Sequence, residues 1–125
     1  MNGKLYQCAL LVQEALVANA PKDTWNLALN SIRLVQEDGD WYVLIGGEIA
    51  PYAEYTNEPW QHGKNPNEGW IEATLESVLP MIKQVMSGAI SQADLDEYKR
   101  THIEKKLIAD YKEHITEKER KLENI

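Results

Sequence analysis

Ile32-Arg33-Leu34-Val35-Gln36-Glu37-Asp38-Gly39-Asp40-Trp41-Tyr42-Val43-Leu44-Ile45 sets two β-prone runs on either side of an Asp-Gly pair. Asp-Gly accepts the positive φ angles of a tight two-residue turn, so the stretch predicts a β-hairpin. Upstream, Leu5, Cys8, Ala9, Val12, Ala15 and Leu16 recur at three- and four-residue spacing. That spacing lays one apolar stripe on a helix from about Gly3 to Asn19, ended by Pro21. Asp23 or Thr24 then caps a short helical piece over Trp25 to Ser31.

Downstream, Gly46-Gly47 breaks the second strand, Glu48-Ile49-Ala50 reads as a further short extended piece, and Tyr52 to Tyr55 as one helical turn. From Thr56 to Glu68 the chain holds two Pro, three Asn and one Gly with almost no aliphatic residue, which predicts a long surface loop. Trp70, Ile71, Leu75, Val78, Leu79, Ile82, Val85 and Met86 mark a second amphipathic helix, kinked at Pro80 and stopped at Ser87-Gly88. Ser91-Gln92-Ala93-Asp94 resembles a capping box that opens a third helix. The tail from Ser91 to Ile125 lacks Gly and Pro and is rich in Glu, Lys and Leu. Its thin apolar stripe of Leu95, Tyr98, Ile108, Tyr111, Ile115, Leu122 and Ile125 predicts a long, mostly exposed helix that packs on a neighbour. The expected fold class is α+β: an N-terminal helix, a small antiparallel sheet with a hairpin, a second helix packed on that sheet, and a helical tail. The domain spans residues 1–88 and the charged extension 89–125.

A chain of 125 residues is one domain's length and can bury a core without staples. Cys8 is the single cysteine, which excludes an internal disulfide and fits a reducing cytoplasm. No apolar run approaches the roughly 20 residues that span a bilayer, so a soluble chain is expected. Formal charge is −7 and uneven. Up to Gly88 the chain has only Lys4, Lys22, Arg33, Lys64 and Lys83 against eleven acids. A surface so acidic repels phosphate, which argues against tight nucleic-acid binding through a basic face but not against a surface that DNA passes without sticking.

No constellation for chemistry emerges. His62, His102 and His114 lack the spacing of a zinc site, and Asp110 with His114 reads as an ordinary helix face. Cys8 sits in an apolar stripe, and none of Ser31, Ser77, Ser87 and Ser91 has in sequence the neighbourhood of a base held by a third group. Glu48 and Glu54 flank an aromatic segment as the acids of a glycosidase do, yet so short a chain offers no deep pocket. Gly46-Gly47 lacks a phosphate-loop pattern. The reading is therefore no catalytic residue, no metal and no cofactor.

Six of the ten aromatic residues lie between Trp41 and Trp70, and there is no Phe, so every one of these rings carries a polar handle. Trp41, Tyr52 and Trp70 are expected to pack the core. Tyr55 and Trp60, with Gln61, His62, Lys64 and Asn65 of the loop, are the candidate interface, joined by Tyr98 and Tyr111 on the tail.

Three segments carry a resemblance: Ala20-Pro21-Lys22-Asp23-Thr24-Trp25-Asn26-Leu27 with Ser31-Ile32, then Ala50-Pro51-Tyr52-Ala53-Glu54-Tyr55, then Gly69-Trp70-Ile71-Glu72-Ala73. In that order, from Gly3 to about Met86, they resemble the tail-completion or head-to-tail joining proteins in the neck of long-tailed bacteriophages. Trp25 stands where that family usually has Gly, and Thr56 follows Tyr55 where Gly is common. The resemblance implies a virion protein assembled in the host cytoplasm into a ring of six subunits. Such a ring would sit between head connector or stopper proteins and the tail terminator or tail tube, with double-stranded DNA passing transiently through its lumen. It also implies heterologous subunit contacts and a long loop that orders only on insertion into the adjoining ring. Two other classes remain open from the residues alone: a cytoplasmic adaptor docking a partner through the tail helix, and a small hydrolase acting through Glu48 and Glu54.

Overall fold

The computed structural model describes residues 3–22, 25–47 and 53–123. Helix α1 runs over Lys4–Asn19 and is followed by the short helix α2, Asn26–Asn30. Strands β1, Ile32–Glu37, and β2, Asp40–Ile45, pair antiparallel with Ile32 opposite Ile45 and Glu37 opposite Asp40. Asp38 and Gly39 take φ angles of 52° and 86°, the two positive values that a right-twisted hairpin requires. Helix α3 covers Ala53–Asn57 and α4 covers Trp70–Ser87. The chain ends in α5, Gln92–Lys99, a π-helical turn Arg100–Glu104, and α6, Lys105–Glu123. The expected cap at Asp23 or Thr24, the extended piece Glu48 to Ala50, Tyr52 and Ile125 lie outside the described residues.

Helix α1 is the hub. One side of it carries Cys8, Leu11, Ala15 and Ala18 into a buried cluster with Val78 and Val85 of α4, Leu95 of α5 and Ile103 of the π turn. Its C-terminal end adds Leu16 to a second cluster made of Ala20, Trp25, Leu27, Ala28, Ile32, Ala53 and Trp70. The α+β class and the order of elements follow the sequence expectation, with one difference in packing. The second long helix lies chiefly on α1, and α1 in turn contacts both strands. The reason is visible in the hairpin, where Leu34, Val43 and Ile45 are only half-buried while Tyr42 and Leu44 face out. Two strands offer a helix less apolar surface than α1 does.

Pro80 does not end α4, which continues unbroken to Ser87 and stops at Gly88 with φ of 74°. The capping box at Ser91 forms in both directions: Ser91 Oγ accepts from Asp94 N, and Asp94 Oδ2 accepts from Ser91 N. Beyond it the buried face comprises Leu95, Ile103 and half-buried Leu107, whereas Ile108, Tyr111 and Ile115 of the anticipated stripe are exposed. An unbroken α-helix advances about 100° per residue, so positions four apart drift steadily round the axis. The wider π turn takes up that drift and keeps Leu95, Ile103 and Leu107 facing α1. Residues after Gly88 thus share a core with α1, reinforced by the Lys99–Glu14 ion pair at 3.0 Å and a bond from Lys106 Nζ to Ala18 O at 2.9 Å.

Candidate functional site

The loop from Thr56 to Glu68 is organised from within by Asn65. Its amide is buried and donates to Thr56 O at 2.8 Å and Glu58 O at 2.7 Å, while Oδ1 accepts from Asn67 N at 2.9 Å. Thr56 Oγ1 in turn donates to Ala53 O and accepts from Trp70 Nε1 at 3.0 Å, tying the end of α3 to the start of α4. Asn57 adds a second tie. Its Oδ1 accepts from Ile71 N and its Nδ2 reaches both carboxylate oxygens of Glu72. The expectation of a loop that orders only against a neighbour is corrected here, because these side chains close the loop on the chain's own helices.

On that frame Tyr55 and Trp60 stack almost parallel, 5.4 Å between centroids and 13° between planes. Trp60 Nε1 donates to Tyr55 O at 3.2 Å, which fixes the pair's geometry, and Tyr55 remains 57% exposed. Gln61, His62 and Lys64 follow as exposed loop-tip residues. Five of the eight candidate interface residues therefore form one continuous surface: Tyr55, Trp60, Gln61, His62 and Lys64. Asn65 lies beneath it as the organiser and offers no side-chain surface to a neighbour.

Tyr98 and Tyr111 belong elsewhere. Half-buried Tyr98 stacks on His102 at 4.4 Å, and desolvation pushes its phenol above the ordinary value. Exposed Tyr111 meets buried Trp25 edge to face at 5.6 Å, with His114 also beside that indole. Of the expected core aromatics, Trp70 is buried and Trp41 is half-buried against Tyr6 at 4.9 Å.

A cleft the sequence reading missed lies where α6 crosses the end of α1. It encloses about 430 Å³ and is lined by Lys22, Trp25, Lys106, Asp110 and His114 among others. Lys22 Nζ donates to the carbonyls of Ala18 and Ala20 and pairs with Asp110 at 3.1 Å, and Lys106 Nζ reaches Asp110 at 3.0 Å as well as Ala18 O. Two ammonium groups thus neutralise the negative end of α1 and are themselves held by one carboxylate. Burial lowers the Lys22 pKa, partly offset by Asp110. Burial acts on the Asp110 carboxyl in the opposite sense to its two lysines, whose hydrogen bonds prevail and hold it below the ordinary aspartate value. The sequence signals were the spacings of four between Lys106 and Asp110 and between Asp110 and His114, which reads as an ordinary helix face, and neither gave a hint of Lys22.

Desolvation raises the thiol pKa of buried Cys8, which keeps it protonated. Ser77 and Ser87 donate to backbone carbonyls of their own helix, and Ser91 caps α5. Among the described residues no three His, Cys, Asp or Glu side chains gather as a metal site would require, and no helix is long and apolar enough to cross a membrane. Glu54 is exposed in the first turn of α3, and its suggested partner Glu48 lies outside the described residues. Comparison with protein-family models, with curated proteins and with solved structures finds no match.

Proposed function

We propose that this chain is a phage neck protein, a ring-forming subunit that joins head to tail and leaves a lumen for DNA. The observation that carries the reading is where the three resembling segments meet. Ala20, Trp25, Leu27 and Ile32 from the first, Ala53 from the second and Trp70 from the third occupy one buried cluster, although up to 50 positions separate them in sequence. Segments that are individually weak signals thus cohere as one structural unit, as a family's fold signature should. Trp25 adds to this: it has φ of 66° at the position where the resembling family places Gly, the residue that adopts that conformation without strain.

In this reading the work is done by fit. The stacked Tyr55 and Trp60, rimmed by Gln61, His62 and Lys64, supply a rigid amphipathic patch of the kind that anchors interfaces. Heterologous contact through that patch would close into a ring. The acidity of the span up to Gly88 suits a wall that phosphates slide past. Mass measurement by light scattering, with electron micrographs of the purified protein, tests this. Rings that are lost in Tyr55→Ala/Trp60→Ala would support it, and a chain that is monomeric alone and absent from virions would refute it.

A second reading, an adaptor docking through α6, is favoured by the exposed Ile108, Tyr111 and Ile115. Deleting residues 89–125 does not isolate that role, since Leu95 and Ile103 belong to the core. Ile108→Glu with Ile115→Glu does. Lost activity with ring formation intact would favour the adaptor.

A further inference from the structure

The exposed side of α4 carries a stripe that nothing above uses. Leu75, Leu79 and Met86 are 42%, 47% and 44% exposed, and half-buried Ile82 completes spacings of four, three and four. That alternation is the seam of a coiled coil, two apolar positions in every seven. Val78 and Val85, the residues that α4 sends into the core, lie to one side of the stripe, and Pro80 lies off it on the other. Leu75, Leu79 and Met86 therefore form a second apolar face, and Ile82, partly packed on the core, joins it to that core.

The charges beside the seam identify its occupant. Glu76 and Lys83 are both exposed, lie on the same rim of the stripe, and carry opposite signs one heptad apart. When two copies of α4 run antiparallel about a two-fold axis passing beside Pro80 and Met81, Leu75 meets the partner copy's position 86 and Leu79 meets its position 82. Each Glu76 then faces the lysine at position 83 of the other copy, and each Lys83 the corresponding glutamate. A stripe whose apolar sizes and charge signs both match under reversal is self-complementary, which an isologous contact requires and a foreign partner does not.

We infer that α4 is the interface of a two-fold antiparallel dimer of this chain, centred on Leu79 and Ile82. The inference is independent of the ring reading, because no seam residue belongs to the Tyr55–Trp60 patch. Four seam residues per copy along one helix form a small interface, so the dimer is weak and its population follows concentration.

Sedimentation or light scattering of the full chain over a dilution series tests it. The expected result, read in Tyr55→Ala/Trp60→Ala so that ring assembly does not contribute, is a monomer–dimer equilibrium, displaced to monomer by adding Leu79→Glu, a surface change that leaves the fold's circular dichroism unchanged. Glu76→Lys alone and Lys83→Glu alone should each weaken the dimer about tenfold by opposing like charges, and the two together in one chain should restore it. Tyr55→Ala/Trp60→Ala should leave this dimer intact. A strict monomer at every concentration overturns the inference, and so does association that ignores Leu79→Glu yet fails in Ile108→Glu. Loss in both charge variants without rescue in the double variant overturns the antiparallel arrangement.

Discussion

Asn65 shows how a single side chain can hold a loop of thirteen positions. Its amide satisfies a carbonyl in the last turn of α3 together with a carbonyl and an N–H of the irregular segment that follows, so Asn65→Ala leaves the carbonyls of Thr56 and Glu58 without their donor. A loss of about 2 kcal/mol is expected in denaturant titrations, with faster amide exchange across residues 56–68, whereas Gln61→Ala at the exposed tip should change stability by less than about 0.5 kcal/mol. Trp25 sets two effects against each other. Glycine there would relieve left-handed strain of about 1 kcal/mol, but it would also empty the space of a buried indole, which costs about 3–5 kcal/mol. Packing wins, and Trp25→Gly should destabilise the chain. Sequence could mark Tyr55 and Trp60 as surface because aliphatic neighbours are missing around them. It could not separate Asn65 from its loop, because burial of an amide depends on which carbonyls the backbone turns inward.

At the scale of elements, the hairpin and α1 were legible because turn chemistry and periodicity are local properties. The Asp-Gly turn and the helix from Lys4 both lie where their residues demand. The tail stripe holds at Leu95 and Tyr98 and is one face out beyond them. A stripe drawn for a regular helix passes through Ile108, Tyr111 and Ile115, and only the π turn places Ile103 and Leu107 inward. Ile103→Ala should therefore cost about 2–4 kcal/mol by leaving a cavity, and Ile108→Ala less than about 0.5 kcal/mol, both read from urea midpoints. The clasp at the end of α1 adds a pH dependence. The folded-state value of Asp110 lies below the ordinary 3.8, so its contribution is fully present above that value and is lost as pH falls through the lower one. Asp110→Asn should remove that acid limb and cost about 1 kcal/mol at neutral pH, since the carboxylate is partly solvated. Thermal melts between acid and neutral pH check both.

For the molecule as a whole, two clusters meeting on α1 explain why the first 88 residues and the rest fold together: truncation after Gly88 would strip Leu95 and Ile103 from the cluster that contains Leu11 and Val78. The same arrangement leaves apolar side chains outside at Tyr55 with Trp60, along α4, along α6 and on the hairpin at Tyr42 and Leu44. A molecule built this way has more exposed anchors than a solitary monomer needs, which fits a subunit of an assembly. The place proposed for this chain is the virion neck. Electron microscopy of phage particles labelled with an antibody against this chain addresses it most directly: the account predicts label confined to the head–tail junction, and particles that carry none of the chain would contradict it.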